Sequence, residues 1–221
     1  MTEDTAKTDR LATTEGTQRF AARHLVSPGQ YRTALDLNWS SVGIGTYIGN
    51  ADDITDDLVC EAIKAAVRGG INVIDTAANY RRGRGELAAG RAISALLEAG
   101  AVRRDELIIC TKAGYLPTPG NVFREMYFGK GGIGETDLVG ENHCIHPAYI
   151  EDRISHLLAA LKLDCIDVFY LHNPEAQLAH VPQEVFDARL AAAFEALEDQ
   201  ARAGRIGCYG LATWRAFRAS P

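Results

Sequence analysis

From residue 42 to residue 211 the chain repeats one alternation. A short, almost unbroken apolar run is followed by a connection and then by a longer segment whose apolar residues recur with helical spacing. The runs occupy residues 42–46, 71–75, 107–111, 166–171 and 206–211. Strands with one wet face would alternate apolar with polar; runs this continuous predict strands buried on both faces of a parallel sheet. The intervening segments predict four helices. The first carries Val59, Ala62, Ile63, Ala66 and Val67 on one face and stops at Gly69-Gly70. The second carries Ala89, Ile93, Leu96 and Leu97 and stops at Gly100. The third carries Ile150, Ile154, Leu157, Leu158 and Leu161, and the fourth Phe186, Leu190, Ala193, Phe194, Leu197 and Ala201, each a stripe of 3.6-residue period. Strand and helix alternate throughout, so the class is α/β.

Alternation by itself fits a doubly wound sheet or a (β/α)₈ barrel. A dinucleotide-binding sheet of the doubly wound kind needs GxGxxG between its first strand and a helix that follows at once. Here Gly43-Ile44-Gly45-Thr46 supplies two glycines and no third, and the helical pattern starts only near Thr55. The barrel gains weight. Outside the repeat, residues 1–17 are Thr-rich, charged and aperiodic, which predicts a disordered leader. Residues 18–221 form the globular part, opening with turn signals at Ser27-Pro28-Gly29 and a hairpin-like run from Tyr31 to Trp39.

Composition narrows the function classes. The 221 residues carry a formal net charge of −6, with no basic stripe for nucleic acid or anionic lipid, and no apolar run of membrane length. A small soluble substrate is the expected partner. The five cysteines are odd in number and lie on separate elements without a CxxC pair, so they read as reduced, and the cytoplasm is the expected location.

The candidate chemistry stands at the ends of the apolar runs, where parallel barrels gather their catalytic groups. Asp75 closes the second run, Lys112 follows the third and His172 the fourth, while Tyr80 lies five residues beyond Asp75 in Asp75-Thr76-Ala77-Ala78-Asn79-Tyr80. Singly, these are a helix cap, a surface charge, a hydrogen-bonded filler and a rim aromatic. Together, at successive strand ends, they form a constellation.

The segments Gly43-Ile44-Gly45-Thr46-Tyr47, Gly70-Ile71-Asn72-Val73-Ile74-Asp75-Thr76-Ala77, Thr111-Lys112 and Asp167-Val168-Phe169-Tyr170-Leu171-His172 resemble, in order, the signatures of the aldo/keto reductase family. Gly204-Arg205-Ile206-Gly207-Cys208-Tyr209-Gly210 resembles its fifth-strand segment, so the likeness covers roughly residues 31–215. It implies a (β/α)₈ TIM barrel, here incomplete at about five of eight strands, and reversible hydride transfer between NADP(H), with NAD(H) as the alternative, and an aldehyde or ketone. It implies Asp75, Tyr80, Lys112 and His172 as the catalytic set. Gly45, Thr46, Tyr47, Asp75, Ala212 and Thr213 would border the cofactor. The residue types suit the roles: Tyr80 gives a proton to the nascent alkoxide, Lys112 favours the phenolate, Asp75 holds Lys112 by an ion pair, and His172 orients the carbonyl oxygen.

Two departures accompany the likeness. Ala212-Thr213 stands where the family commonly has Ser-Asn, and the chain stops at Pro221, which reads as a fragment rather than a natural truncation. A noncatalytic cofactor-sensing or scaffold relative is therefore the competing function. Residues 113–147 form a Gly-rich insertion at the position of an active-site loop, in which Phe123, Arg124, Tyr127, Phe128 and Lys130 are candidates for shaping substrate access. His143-Cys144-Ile145-His146 offers metal-ligating types without a common zinc spacing, so no metal is expected. Arg81-Arg82-Gly83-Arg84 reads as a solvated basic turn.

Overall fold

The computed structural model describes residues 10–24 and 26–216. Its elements run α1 (Thr14–His24), β1 (Tyr31–Ala34), β2 (Leu37–Ser40), β3 (Ile44–Gly45), α2 (Asp53–Arg68), β4 (Val73–Asp75), α3 (Arg84–Glu98), β5 (Ile108–Ala113), α4 (Gly120–Tyr127), α5 (Pro147–Leu161), β6 (Ile166–His172), α6 (Gln183–Arg202) and β7 (Ile206–Ala212). Strands β3 to β7 form one parallel sheet whose spatial order equals their sequence order, and β1 pairs with β2 as an antiparallel hairpin.

That order separates the two architectures left open by the pattern. A doubly wound sheet reverses its strand order and carries helices on both faces; here nothing reverses. Alternate residues of β5 and β6 diverge. Ile109, Ala113, Phe169 and Leu171 pack under Ile63, Val67, Ile93, Leu96, Ile154, Leu157 and Leu197 of the helices. Ile108, Cys110 and Val168 point to the other face, against Ala12, Leu37 and Trp39. One face therefore meets helices and the other is closed at one end by the hairpin, the arrangement of a barrel wall with its floor. Asn72 fastens that floor: its Oδ1 accepts from the Ser40 amide at 2.9 Å and its Nδ2 donates to the Asn38 carbonyl at 2.9 Å.

Three expectations are revised. The leader was placed at residues 1–17, but α1 begins at Thr14, and Gly16, Thr17 and Phe20 are buried; residues 1–9 lie outside the described residues. Charge rather than apolar periodicity anchors this helix, through Arg19 to Asp105 at 2.7 Å and Arg23 to Glu106 at 2.6 Å. The basic turn is not solvated throughout, because Arg81 is buried on Asp56 at 2.5 Å and donates from Nε to the Thr46 carbonyl at 3.2 Å. Arg84 shares Asp56 at 2.6 Å, and Arg82 alone of the three is exposed. Finally, the insertion holds helix α4 and a small core, in which Leu116, Phe123, Tyr127, Ile133, Leu138 and Cys144 pack with Tyr149 of α5.

Candidate active site

The C-terminal ends of β4, β5 and β6 lie side by side because the register sets Asp75 opposite Cys110 and Lys112 opposite Tyr170. Inward-pointing residues two apart on β5 place Lys112 directly beyond Cys110, at the mouth of the wall. Its side chain is only 8% exposed, and an ammonium so sequestered needs partners. It finds both Asp75 oxygens at 2.8 and 2.7 Å and the Thr76 carbonyl at 2.8 Å. Its remaining reach is to the Tyr80 hydroxyl at 3.2 Å.

Tyr80 stands at the start of a 3-10 turn, Tyr80–Gly83. Its ring meets the His172 ring edge-on at 5.8 Å between centroids and the Tyr47 ring at 5.1 Å. His172 is 7% exposed. Burial, reinforced by the Lys112 cation and by His143, brings its pKa down to about 4, with Glu175 acting weakly the other way. At neutral pH it is an uncharged imidazole. Its Nδ1 is buried and has no hydrogen-bond partner among the described residues.

Two adjoining clefts share this wall. One, of about 380 Å³, is lined by Tyr47, Asn79, Tyr80, Tyr115, His172, Asn173 and Trp214. The other, of about 450 Å³, is bounded by Asp75, Tyr80, Lys112, Tyr170, His172, Asn173 and the 211–214 segment. Aromatic walls around a cation–phenol–imidazole cluster describe a site that can grip a flat apolar group and exchange a proton at one edge.

The expected cofactor-border residues are distributed unevenly. Tyr47 lines the first cleft and Asp75, Ala212 and Thr213 line the second. Gly45 ends β3 and is exposed. Thr46 is fully buried with its hydroxyl bonded to Thr76 at 2.7 Å, so it supports the wall instead of lining it. Thr213 gives its hydroxyl hydrogen to Glu175 Oε1 at 2.5 Å. Burial opposes the Glu175 charge, but bonds from Thr213 and from the Arg215 and Trp214 amides outweigh it and hold the carboxyl below its usual range.

Asn79, Tyr115, Asn173, Glu175 and Trp214 escaped the reading of the sequence. Only Asn173-Pro174-Glu175, immediately after His172, gave a signal that could have been followed. The insertion residues proposed for substrate access line neither cleft: Phe123 and Tyr127 are buried in the insertion core, and Arg124 pairs with Glu135 and Glu141 at 2.9 and 2.6 Å. In the His-Cys-Ile-His segment, His146 Nδ1 caps α5 by accepting from the Ala148 amide at 3.2 Å. Both His143 ring nitrogens are engaged by protein groups, and burial pushes the Cys144 thiol up to about 12. These side chains are committed to structure.

Comparison with known proteins converges on one group. The sequence model of the Aldo/keto reductase family matches residues 41–219. Aldo-keto reductase family 4 member C11 of Arabidopsis thaliana is 26% identical over 180 residues, covering 78% of this chain and 46% of its own length. The NADH-specific methylglyoxal reductase of Escherichia coli is 29% identical over 143 residues, covering 62% of this chain and 39% of its own. Among solved structures, the holo form of aldo-keto reductase AKR11C1 from Bacillus halodurans superposes with a TM-score of 0.59 at 24% identity, covering 84% of this chain and 51% of that one. Glycerol dehydrogenase AKR11B4 from Gluconobacter oxydans gives 0.60 at 21% identity, covering 86% and 50%. The chain thus spans about half the length of the relatives it matches, and the structural likenesses concern the incomplete barrel.

Proposed function

The chain belongs to the aldo/keto reductase family, and from that premise we propose that it carries the acid–base half of a nicotinamide-dependent carbonyl reductase. The supporting observation is the cluster in which one buried ammonium, Lys112, holds both oxygens of Asp75 and reaches the hydroxyl of Tyr80, with His172 across the same cleft.

The residues present suit a nicotinamide ring. The larger cleft has aromatic side chains for a planar heterocycle, and the Asn173 amide, whose Oδ1 is buried without a partner among the described residues, offers the acceptor and donor that a carboxamide needs. Asp75, Asn173, Ala212 and Thr213 would border it, with NADP(H) the favoured form and NAD(H) the alternative. When bound, the nicotinamide supplies hydride to the carbonyl carbon.

The chain's own residues manage the oxygen. Neutral His172 donates an N–H to the carbonyl oxygen and fixes its direction, which strengthens as negative charge develops there. Tyr80 delivers its hydroxyl proton to the nascent alkoxide. Lys112 offsets the phenolate left behind, and Asp75 keeps Lys112 aimed at the phenol rather than at solvent. In the oxidative direction the same groups run in reverse, Tyr80 receiving the proton of an alcohol. Five unpaired cysteines support a reducing compartment such as the cytoplasm.

The test is oxidation of NADPH or NADH by the whole gene product, followed against a panel of aldehydes and ketones. Carbonyl-dependent turnover is expected. The competing noncatalytic reading draws on the Thr213 hydroxyl, which is turned to Glu175; it predicts cofactor binding without turnover on any carbonyl.

A further inference from the structure

The ladder between β5 and β6 stops at Ala113 opposite Leu171, one residue short of His172. The His172 carbonyl therefore lies just past the last partner that β5 can offer. The ring of His143, from the insertion, takes that place: its Nε2 is 2.9 Å from the His172 carbonyl oxygen, and its Nδ1 is 3.1 Å from Gln177 Nε2.

The direction of these bonds follows from the outer end. Gln177 Oε1 accepts from Arg189 Nη1 at 2.7 Å, so the amide presents its NH₂ to His143. Nδ1 must then accept, and a neutral ring carries its proton on Nε2, where it donates to the carbonyl. The ring is neutral because burial brings its pKa down to about 4. Gly114 leaves room for the contact: at φ +148 it has no Cβ, and one would stand 2.8 Å from the His172 oxygen and 2.9 Å from His143 Nε2. The Tyr115 ring meets both imidazoles edge-on, at 4.9 and 5.2 Å.

The carbonyl of His172 and the amide of Asn173 belong to one planar peptide unit. His143 holds its oxygen, and the Ala212 carbonyl holds its N–H at 2.7 Å. Pinned on both sides, that unit cannot swivel, although the chain turns at once into the left-handed region at Asn173, φ +47.

We infer that His143, fixed as its Nε2–H tautomer by Gln177 and Arg189, is a positioning residue that sets the peptide plane of His172 and so the direction of the His172 imidazole in the cleft. Its effect on turnover rests on the carbonyl chemistry proposed above; the tautomer and the displacement of His172 do not.

Nitrogen-15 histidine spectra of the whole gene product at pH 7 are expected to show His143 protonated on Nε2 and bare on Nδ1; the opposite tautomer or a doubly protonated ring overturns the inference. His143→Phe keeps the bulk and removes the donor, whereas His143→Gln restores an N–H. The His172 ring resonances should move in the first variant and return toward wild type in the second, whether or not the protein turns over a carbonyl; unmoved resonances overturn the inference. Turnover should follow, with kcat lowered about tenfold or more by Phe and largely recovered by Gln. A Phe variant within about twofold of the wild-type kcat, or a Gln variant no better than Phe, contradicts it. Should the Phe variant fail to fold, the wild-type tautomer decides.

Discussion

In the proposed chemistry each polar residue of the cluster has its own task. Lys112 is the clearest case, since it hydrogen-bonds both Asp75 and Tyr80. Lys112→Met should lower kcat by about 10²–10⁴-fold, the range typical of a general acid–base system, because the phenolate loses its counter-charge. Steady-state kinetics checks this, and a loss under about tenfold would place Lys112 outside the chemistry. His172 yields a prediction in pH. Its pKa lies below the ordinary imidazole value, so protonation is displaced downward, to about 4. Its ring should therefore stay neutral on acidification from pH 8 to about 5.5, read by NMR titration, where an unperturbed histidine would titrate near about 6.5. A midpoint near that ordinary value would refute the neutral donor. Asp75, Lys112 and His172 were legible in the sequence because each polar residue ends an apolar run. The engagement of Thr46 with Thr76 and of Thr213 with Glu175 was not, since those hydroxyls are claimed by residues 30 and 38 positions away.

Among the elements, legibility followed the strength of apolar periodicity. Strands expected at residues 166–171 and 206–211 are observed as Ile166–His172 and Ile206–Ala212, because short runs of mostly apolar, β-branched and aromatic residues without helical spacing favour strands. Helix α1 escaped because its only large buried apolar residue is Phe20 and its anchors, Asp105 and Glu106, come from another element. Helix α4 escaped because eight residues between Gly- and Pro-rich flanks are too short to show a period. Gly90 was equally silent, being one more small residue in an Ala-rich helix. In space it is where α3 meets α5: a Cβ there would stand 2.1 Å from the Ala160 carbonyl oxygen and 3.0 Å from Leu161 Cα. Backbone on both sides cannot yield as a side chain would. Gly90→Ala should cost about 1–3 kcal/mol, as overpacking of a tight interface does. Chemical denaturation measures it, and a stabilised variant would contradict the close packing.

For the molecule as a whole, the alternation of strand and helix was visible in the sequence, but the choice of a barrel wall over a doubly wound sheet depended on strand order and on which residues face the hairpin. The wall has β3 and β7 at its edges, and β7 is covered less than β6. Unpaired edges of a parallel sheet invite association. Residues 1–221 expressed alone should therefore self-associate, as light scattering would show. A monodisperse monomer would contradict this. Tyr80→Phe in the whole gene product separates proton delivery, proposed for Tyr80, from cofactor binding by the other groups of the cleft. One oxygen is removed, and Asp75, Lys112 and His172 keep their places. Single-turnover carbonyl reduction should fall by about 10²–10⁴-fold, with cofactor affinity within about threefold of wild type. A variant that retains most of the wild-type rate would show that the proton comes from a group other than Tyr80.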